Sequence, residues 1–270
     1  PLVYHDGYLY SGVWNKESDP GTYFCLSVTD EDPSQKTETK LCTWKFTHTA
    51  GFYWAGAYVT DDYLIVGSDD GLPEGTYENK AVLFSLDPKT GAVLDRLTEI
   101  KGDIRSSISY DKDSGKVFFA SKGGWFCTVK VNEDGTFDTS SFRYVDLEGM
   151  CTGTPLVYNS RAYIGSSGAQ GQFGPGKLNV IDLSGETPVL AYYAELPGYP
   201  QASALLTSAY GDTAYVYITY NNNPGGIYAI EDKAGQTTAK GYHLFIPGSG
   251  MQQYAIASLV ADADGKIYYK

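Results

Sequence analysis

A unit of roughly 50 residues recurs along this chain, and a repeat of that length limits the fold more than any single motif does. Each unit starts with a small residue and a short apolar strand, crosses a polar turn, and returns in a second strand ending in Tyr, Phe, Gly or Ser. A loop, a third strand, an Asp/Asn/Gly turn and a fourth strand follow. The second unit shows the pattern in Ala57-Tyr58-Val59-Thr60-Asp61-Asp62-Tyr63-Leu64-Ile65-Val66-Gly67, then Ala81 to Gly91, then Ala92 to Leu97. The fourth repeats it in Thr154 to Gly165, Lys177 to Gly185 and Pro188 to Leu196. Turn glycines at Gly91, Gly135, Gly185 and Gly235 recur at intervals of about 50 residues. The units fall at about 1–48, 49–100, 101–149, 150–198, 199–250 and, incomplete, 251–270.

Four short antiparallel strands per period of this length is the signature of propeller blades. Rungs of a parallel β-helix are shorter, and the sequence lacks the helical punctuation of α-containing solenoids. The expectation is therefore an all-β chain: a β-propeller of four-stranded antiparallel blades, about five full blades plus part of a sixth, in a single domain over 1–270. The sixth unit supplies two strands, Ala257 to Ala261 and Lys266 to Tyr269, and Pro1 to Tyr4 already reads as a first strand. This pattern suggests a fragment of a longer propeller, with terminal edges exposed or covered by a neighbouring copy.

Composition agrees with many half-buried pleated surfaces joined by tight turns: 24 Tyr against 2 Met, with 31 Gly and 12 Pro. A formal net charge of −12 argues against binding to phosphate backbones or anionic membrane surfaces, which need basic patches. No apolar run approaches the ~18 residues of a spanning helix, so no membrane contact is expected of this segment. The four cysteines, Cys25, Cys42, Cys127 and Cys151, show no metal-ligand spacing. Cys25 and Cys42 read either as a bridge across one hairpin or as two buried thiols. The histidines His5, His48 and His243 sit in no recognisable catalytic motif, and each reads as a surface or satisfied polar residue.

Leu83-Phe84-Ser85-Leu86-Asp87-Pro88-Lys89-Thr90-Gly91-Ala92-Val93-Leu94 resembles the repeat of PQQ-like (quinoprotein dehydrogenase-like) propellers, in which a strand ending Leu-Asp precedes Thr-Gly and another strand. Thr154-Pro155-Leu156-Val157-Tyr158 with Arg161-Ala162-Tyr163-Ile164-Gly165 is similar to the first two strands of that family's blades. The resemblance implies the fold and, for the exported surface-protein members, an extracellular or cell-surface location with any export signal upstream. It would also imply a quinone beside calcium if the chain were a dehydrogenase. The Cys-Cys pair and the cluster of basic residues suited to the quinone carboxylates are not visible, so no cofactor is expected and PQQ binding is not.

Two acidic turns, Asp111-Lys112-Asp113-Ser114-Gly115 and Asp262-Ala263-Asp264-Gly265, lack the further ligands of a calcium loop and read as hairpin turns. Asp61-Asp62 and Asp69-Asp70 read likewise as solvated turns. The segments entering each innermost strand should converge on one mouth of the channel. They offer Trp54, Tyr199 and Tyr254 as stacking surfaces and Arg105, Gln201, Gln252 and Gln253 as hydrogen-bonding groups, a mixture suited to carbohydrate or peptide ligands. The alternative for these side chains is that they seal the channel end. The reading is a non-catalytic binding or interaction module of a longer surface protein. A PQQ- or metal-dependent enzyme and an architectural spacer are the alternatives.

Overall fold

The computed structural model describes residues 1–16 and 18–270. It is all-β, with five four-stranded sheets and one two-stranded sheet, the blades of a β-propeller. The first blade comprises β1 (Val3–His5), β2 (Tyr8–Gly12), β3 (Gly21–Ser27) and β4 (Cys42–His48). The second has β5 (Tyr58–Val59), β6 (Leu64–Gly67), β7 (Asn79–Leu86) and β8 (Val93–Lys101). The third has β9 (Ser109–Asp111), β10 (Lys116–Ala120), β11 (Trp125–Val131) and β12 (Phe137–Asp146). The fourth has β13 (Leu156–Tyr158), β14 (Arg161–Gly168), β15 (Gly171–Asp182) and β16 (Val189–Leu196). The fifth has β17 (Leu205–Tyr210), β18 (Thr213–Tyr220), β19 (Gly226–Asp232) and β20 (Lys240–Phe245), and a sixth contributes β21 (Val260–Ala261) and β22 (Ile267–Tyr268). In every four-stranded sheet, strands adjacent in sequence are adjacent in space.

The chain divides into two compact units, 1–117 with 128–142, and 118–127 with 143–270. In the first unit Tyr10, Tyr23, Cys25 and Trp44 of the first blade pack with Leu64, Val66, Phe84 and Leu86 of the second. In the second unit one cluster joins Phe118, Ala120 and Phe126 to Ala162, Ile164 and Ile181. Another joins Tyr163, Leu178 and Val180 to Val216, Ile218 and Ile230. The core thus lies between successive blades, because inner strands of these sheets bury both faces. That is why β6 and β10 read as continuous apolar runs rather than as alternations.

A polar clasp recurs at these joints. Tyr10 Oη and Trp44 Nε1 both donate to the carbonyl of Pro88, at 3.2 and 2.9 Å, so the first blade grips the β7–β8 turn of the second. Trp44 lies so close over that turn that a Cβ on Gly91 would sit 2.5 Å from its ring, and Gly91 itself has φ +72°. At the next joint Asp95 Oδ2 accepts from the Phe137 N–H at 2.8 Å, beside the β11–β12 turn. In the second unit Tyr163 and Tyr192 donate to the two oxygens of Asp232, at 2.7 and 2.5 Å, where β19 ends. Gly185 departs from the pattern expected of the four turn glycines. It has no left-handed φ, whereas Gly91, Gly135 and Gly235 do.

All four cysteines are free thiols. The β3–β4 register explains why Cys25 and Cys42 do not bridge: Cys25 faces Trp44, a bulge follows, and Cys42 faces Leu26. In the acidic turns the carboxylates accept local donors. Asp111 Oδ2 takes the N–H and hydroxyl of Ser114, and Asp262 Oδ1 takes the N–H groups of Asp264 and Lys266.

Candidate functional site

The segment Ala50–Gly56 connects the first blade to β5. Its conformation follows from a close approach of backbones, since a Cβ on Gly21 would lie 2.4 Å from the Cα of Gly51. Gly51 takes φ +80° there, and its carbonyl accepts from the Asp69 N–H at 3.1 Å. Phe52 then drops into the core against Tyr23, Phe46 and Phe84. With Phe52 anchored, the next two side chains turn outward. Tyr53 stacks at 4.9 Å and 18° with Trp54, and lies 4.7 Å from the ring of Trp14. Trp54 is 45% exposed and has φ +56°, a left-handed conformation that is a genuine outlier for so bulky a residue.

Beneath this aromatic stack lies a buried ionic network. The Arg105 guanidinium stands 4.5 Å from the centroid of the Tyr53 ring. Its Nε and Nη2 meet the two oxygens of Asp69 at 3.4 and 3.1 Å, and Nη2 also meets Asp103 Oδ2 at 2.9 Å. Glu74 approaches from the solvent side, its Oε2 3.8 Å from Nη1, and accepts from the Tyr77 hydroxyl. Asp103 Oδ1 accepts from the Asp70 N–H at 3.0 Å, while Asp70 Oδ1 accepts from the Leu72 N–H at 2.9 Å. Burial, reinforced by the neighbouring Asp103 charge, pushes the Asp70 carboxyl up to about 6. The same cause, with the Glu74 charge, pushes the Tyr77 hydroxyl upward.

Local sequence dictates this assembly. A Cβ on Gly67 would sit 2.2 Å from Ile104 Cγ2, so only glycine lets the 103–105 segment lie against the end of β6 and bring Arg105 onto Asp69. The Asp69-Asp70 pair is therefore a correction to the expected solvated turn: both residues are buried, because the partner that holds them lies far away in sequence.

Trp54 and Arg105 come together through Tyr53, with the indole outside and the guanidinium inside. The remaining rim candidates belong to the second unit. Tyr199 is 1% exposed, its hydroxyl 3.1 Å from Thr152 Oγ1, and the carbonyl of Gln201 accepts from the same threonine. Gln201 Oε1 takes a hydrogen bond from Asn221. Gln252, Gln253 and Tyr254 are exposed, Tyr254 by 64%. Tyr53 and Asp103 were not among the residues expected to form a site, and Asp69 and Asp70 were expected only as a solvated turn. The available signal was a glycine ending an all-apolar strand, followed by two acids, with Asp-x-Arg before the next inner strand.

The three histidines make local contacts. His5 Nε2 lies 2.8 Å from Asp61, His48 packs edge-on against Phe84, and His243 lies edge-on to Tyr228. Burial holds His48 below the usual histidine range. Among the described residues no group of three or more His, Cys, Asp or Glu side chains is arranged to hold a metal ion. A quinone does not fit the Arg105 network either: its carboxylates would need free cations, and this guanidinium is already engaged by two buried carboxylates. No family model matches the chain, and no curated protein is significantly similar to it.

Proposed function

We propose that this chain is a non-catalytic, exported β-propeller binding module of the PQQ-like repeat type, one domain of a longer cell-surface protein, and that Trp54 is the platform for a carbohydrate ligand. The observation that carries the reading is the outward, strained Trp54. A left-handed φ on a tryptophan costs about 1–3 kcal/mol and persists only where surrounding structure imposes it. Here the strain holds a broad apolar face in solvent, stacked on Tyr53, with a fixed charge behind it. The axial C–H face of a pyranose ring suits such a surface, and polar groups beside it orient the ring. The buried Arg105 network braces the platform, and its carboxylates turn toward the guanidinium instead of toward solvent. A peptide ligand stacking a proline or aromatic ring on the same indole is the competing outcome.

A panel of soluble oligosaccharides and proline-rich peptides, titrated calorimetrically against the wild type and Trp54→Ala, tests this. Saturable binding to an oligosaccharide that Trp54→Ala abolishes, at an unchanged melting temperature, supports the reading. Binding that survives in Trp54→Ala and disappears in Tyr254→Ala would transfer the site to the exposed Gln252–Tyr254 segment. Titration with PQQ and calcium provides the check on the enzyme alternative, since a saturable absorbance change with dye-linked substrate oxidation would replace a binding module with a dehydrogenase.

A further inference from the structure

We propose that the Asp70–Asp103 carboxyl pair is a proton-operated brace for the Trp54 platform, firm while the pair shares a proton and loosened once both carboxyls are ionised. The proposal rests on the reading of Trp54 as the binding platform and adds its regulation.

Asp69, Asp70 and Asp103 are all buried, and one buried guanidinium, Arg105, faces them. Arg105 is engaged by Asp69 and Asp103 and also approaches Glu74. Asp70, 6% exposed, has one oxygen on the Leu72 N–H; its other oxygen, Oδ2, is buried with no hydrogen-bond partner among the described residues. A buried carboxylate oxygen without a donor is costly, whereas the protonated group is itself a donor. Asp103 is the adjacent acceptor, already held against the Asp70 main chain. Among the described residues, Tyr77, bonded to Glu74, and Glu78, whose carboxylate is paired with Lys80 and whose N–H offers the Asp70 carboxyl a further donor, flank the pair. Neither supplies Asp70 with a cation.

The value of about 6 for Asp70 lies above the ordinary carboxylate value. Its protonated form therefore contributes stability that is complete below about pH 4 and lost as pH rises through about 6. Above that, two like charges sit side by side in the interior. Relief comes by moving the 68–77 segment outward, and this segment also carries Asp69 and Glu74. Its displacement withdraws two partners from Arg105, whose guanidinium backs Tyr53, on which Trp54 stacks. Proton loss at one buried carboxyl thus reaches an exposed indole through contiguous contacts.

The test needs no ligand. Acrylamide quenching of tryptophan fluorescence is measured from pH 4.5 to 8 on the wild type, with Trp54→Phe subtracted to isolate Trp54. The expected result is greater quenching at high pH with a midpoint near 6, and loss of that transition in Asp70→Asn, which stays in the low-quenching form throughout. A flat wild-type profile, or a transition that Asp70→Asn retains, overturns the proposal. Should Asp70→Asn fail to fold, carbon-13 titration of the wild-type carboxyls decides: Asp70 titrating near 6 supports the brace, and titration at the ordinary value of about 4 overturns it. Because no sugar enters these measurements, their failure would leave the binding reading standing, and failure to find a sugar would leave the brace standing.

Discussion

The loop Ala50–Gly56 in the first unit and the loop Pro197–Ala202 in the second occupy the same slot in their repeats, just ahead of an innermost strand, yet they treat their aromatics oppositely. In the first, Tyr53 and Trp54 stand over a charge and Trp54 reaches solvent. In the second, Tyr199 is folded inward and its hydroxyl meets Thr152. The second loop, and the 103–105 segment that places the charge under the first, each depend on a glycine at an equivalent strand position. A Cβ on Gly67 would collide with the Ile104 side chain at 2.2 Å, and a Cβ on Gly165 with the Pro200 carbonyl oxygen at 2.1 Å. The difference lies in what receives the ring. A threonine hydroxyl completes a buried phenol, whereas a guanidinium held by carboxylates gives Tyr53 a charged face and leaves the next ring outside. Equivalent repeat slots thus diverge into a sealed joint and an open platform through the polarity of one neighbouring inner loop.

The largest test of this contrast is Arg105→Ala, which strands Asp69 and Asp103 as uncompensated buried charges. A cost of about 3–5 kcal/mol is expected, on the order of a 10 °C fall in melting temperature by calorimetry at pH 7. A fall of only a degree or two would mean that solvent already reaches the network and that the two loops do not differ in kind. Next come Gly165→Ala and Gly67→Ala, each expected to cost about 1–3 kcal/mol in urea unfolding by overpacking. Gly165→Ala should be the worse of the two, because its clash is with backbone while Ile104 has rotamers to try. Equal costs would contradict the idea that the second loop is the more rigidly sealed.

Tyr199→Phe should cost about 1 kcal/mol, the net worth of one buried hydrogen bond, and leave ligand binding intact. A larger loss of binding than of stability would make Tyr199 part of a recognition surface after all. Smallest is Trp54→Ala, expected to cost no more than about 1 kcal/mol, the worth of one aromatic stack on a half-exposed ring, since alanine keeps the Cβ and with it the left-handed strain. A drop of several kcal/mol would place the indole in the core.

The blade grammar was legible because it is local. Strand, Asp, turn and glycine lie within a dozen residues in Leu83–Leu94, and the hydrogen bonds from the Lys89 and Thr90 N–H groups to Asp87 close that turn as its composition suggests. Trp54 was legible as an aromatic at the entry to an inner strand. The burial of Asp69 and Asp70 was not, because two acids after a strand look like a turn until Arg105 arrives 36 residues beyond Asp69. Tyr199 was open to the same ambiguity: sequence supplies an amphipathic ring at a rim position, and only the distant Thr152 decides which way it faces. Gly185 shows the converse, a glycine at the expected turn position that takes no left-handed φ.

The clasps between blades carry a further consequence. In two of these joints one blade presents a pair of donors and its neighbour the acceptor, so the two are matched like plug and socket. The fittings differ: a tryptophan and a tyrosine seek a main-chain carbonyl at Pro88, while two tyrosines seek a side-chain carboxylate at Asp232. A blade transplanted from one joint to the other would therefore arrive with donors spaced for the wrong acceptor, and two or more buried donors would go unmet. Near-identical modules are in this way given an address, and the order of blades around the chain is written into their seams rather than into their interiors.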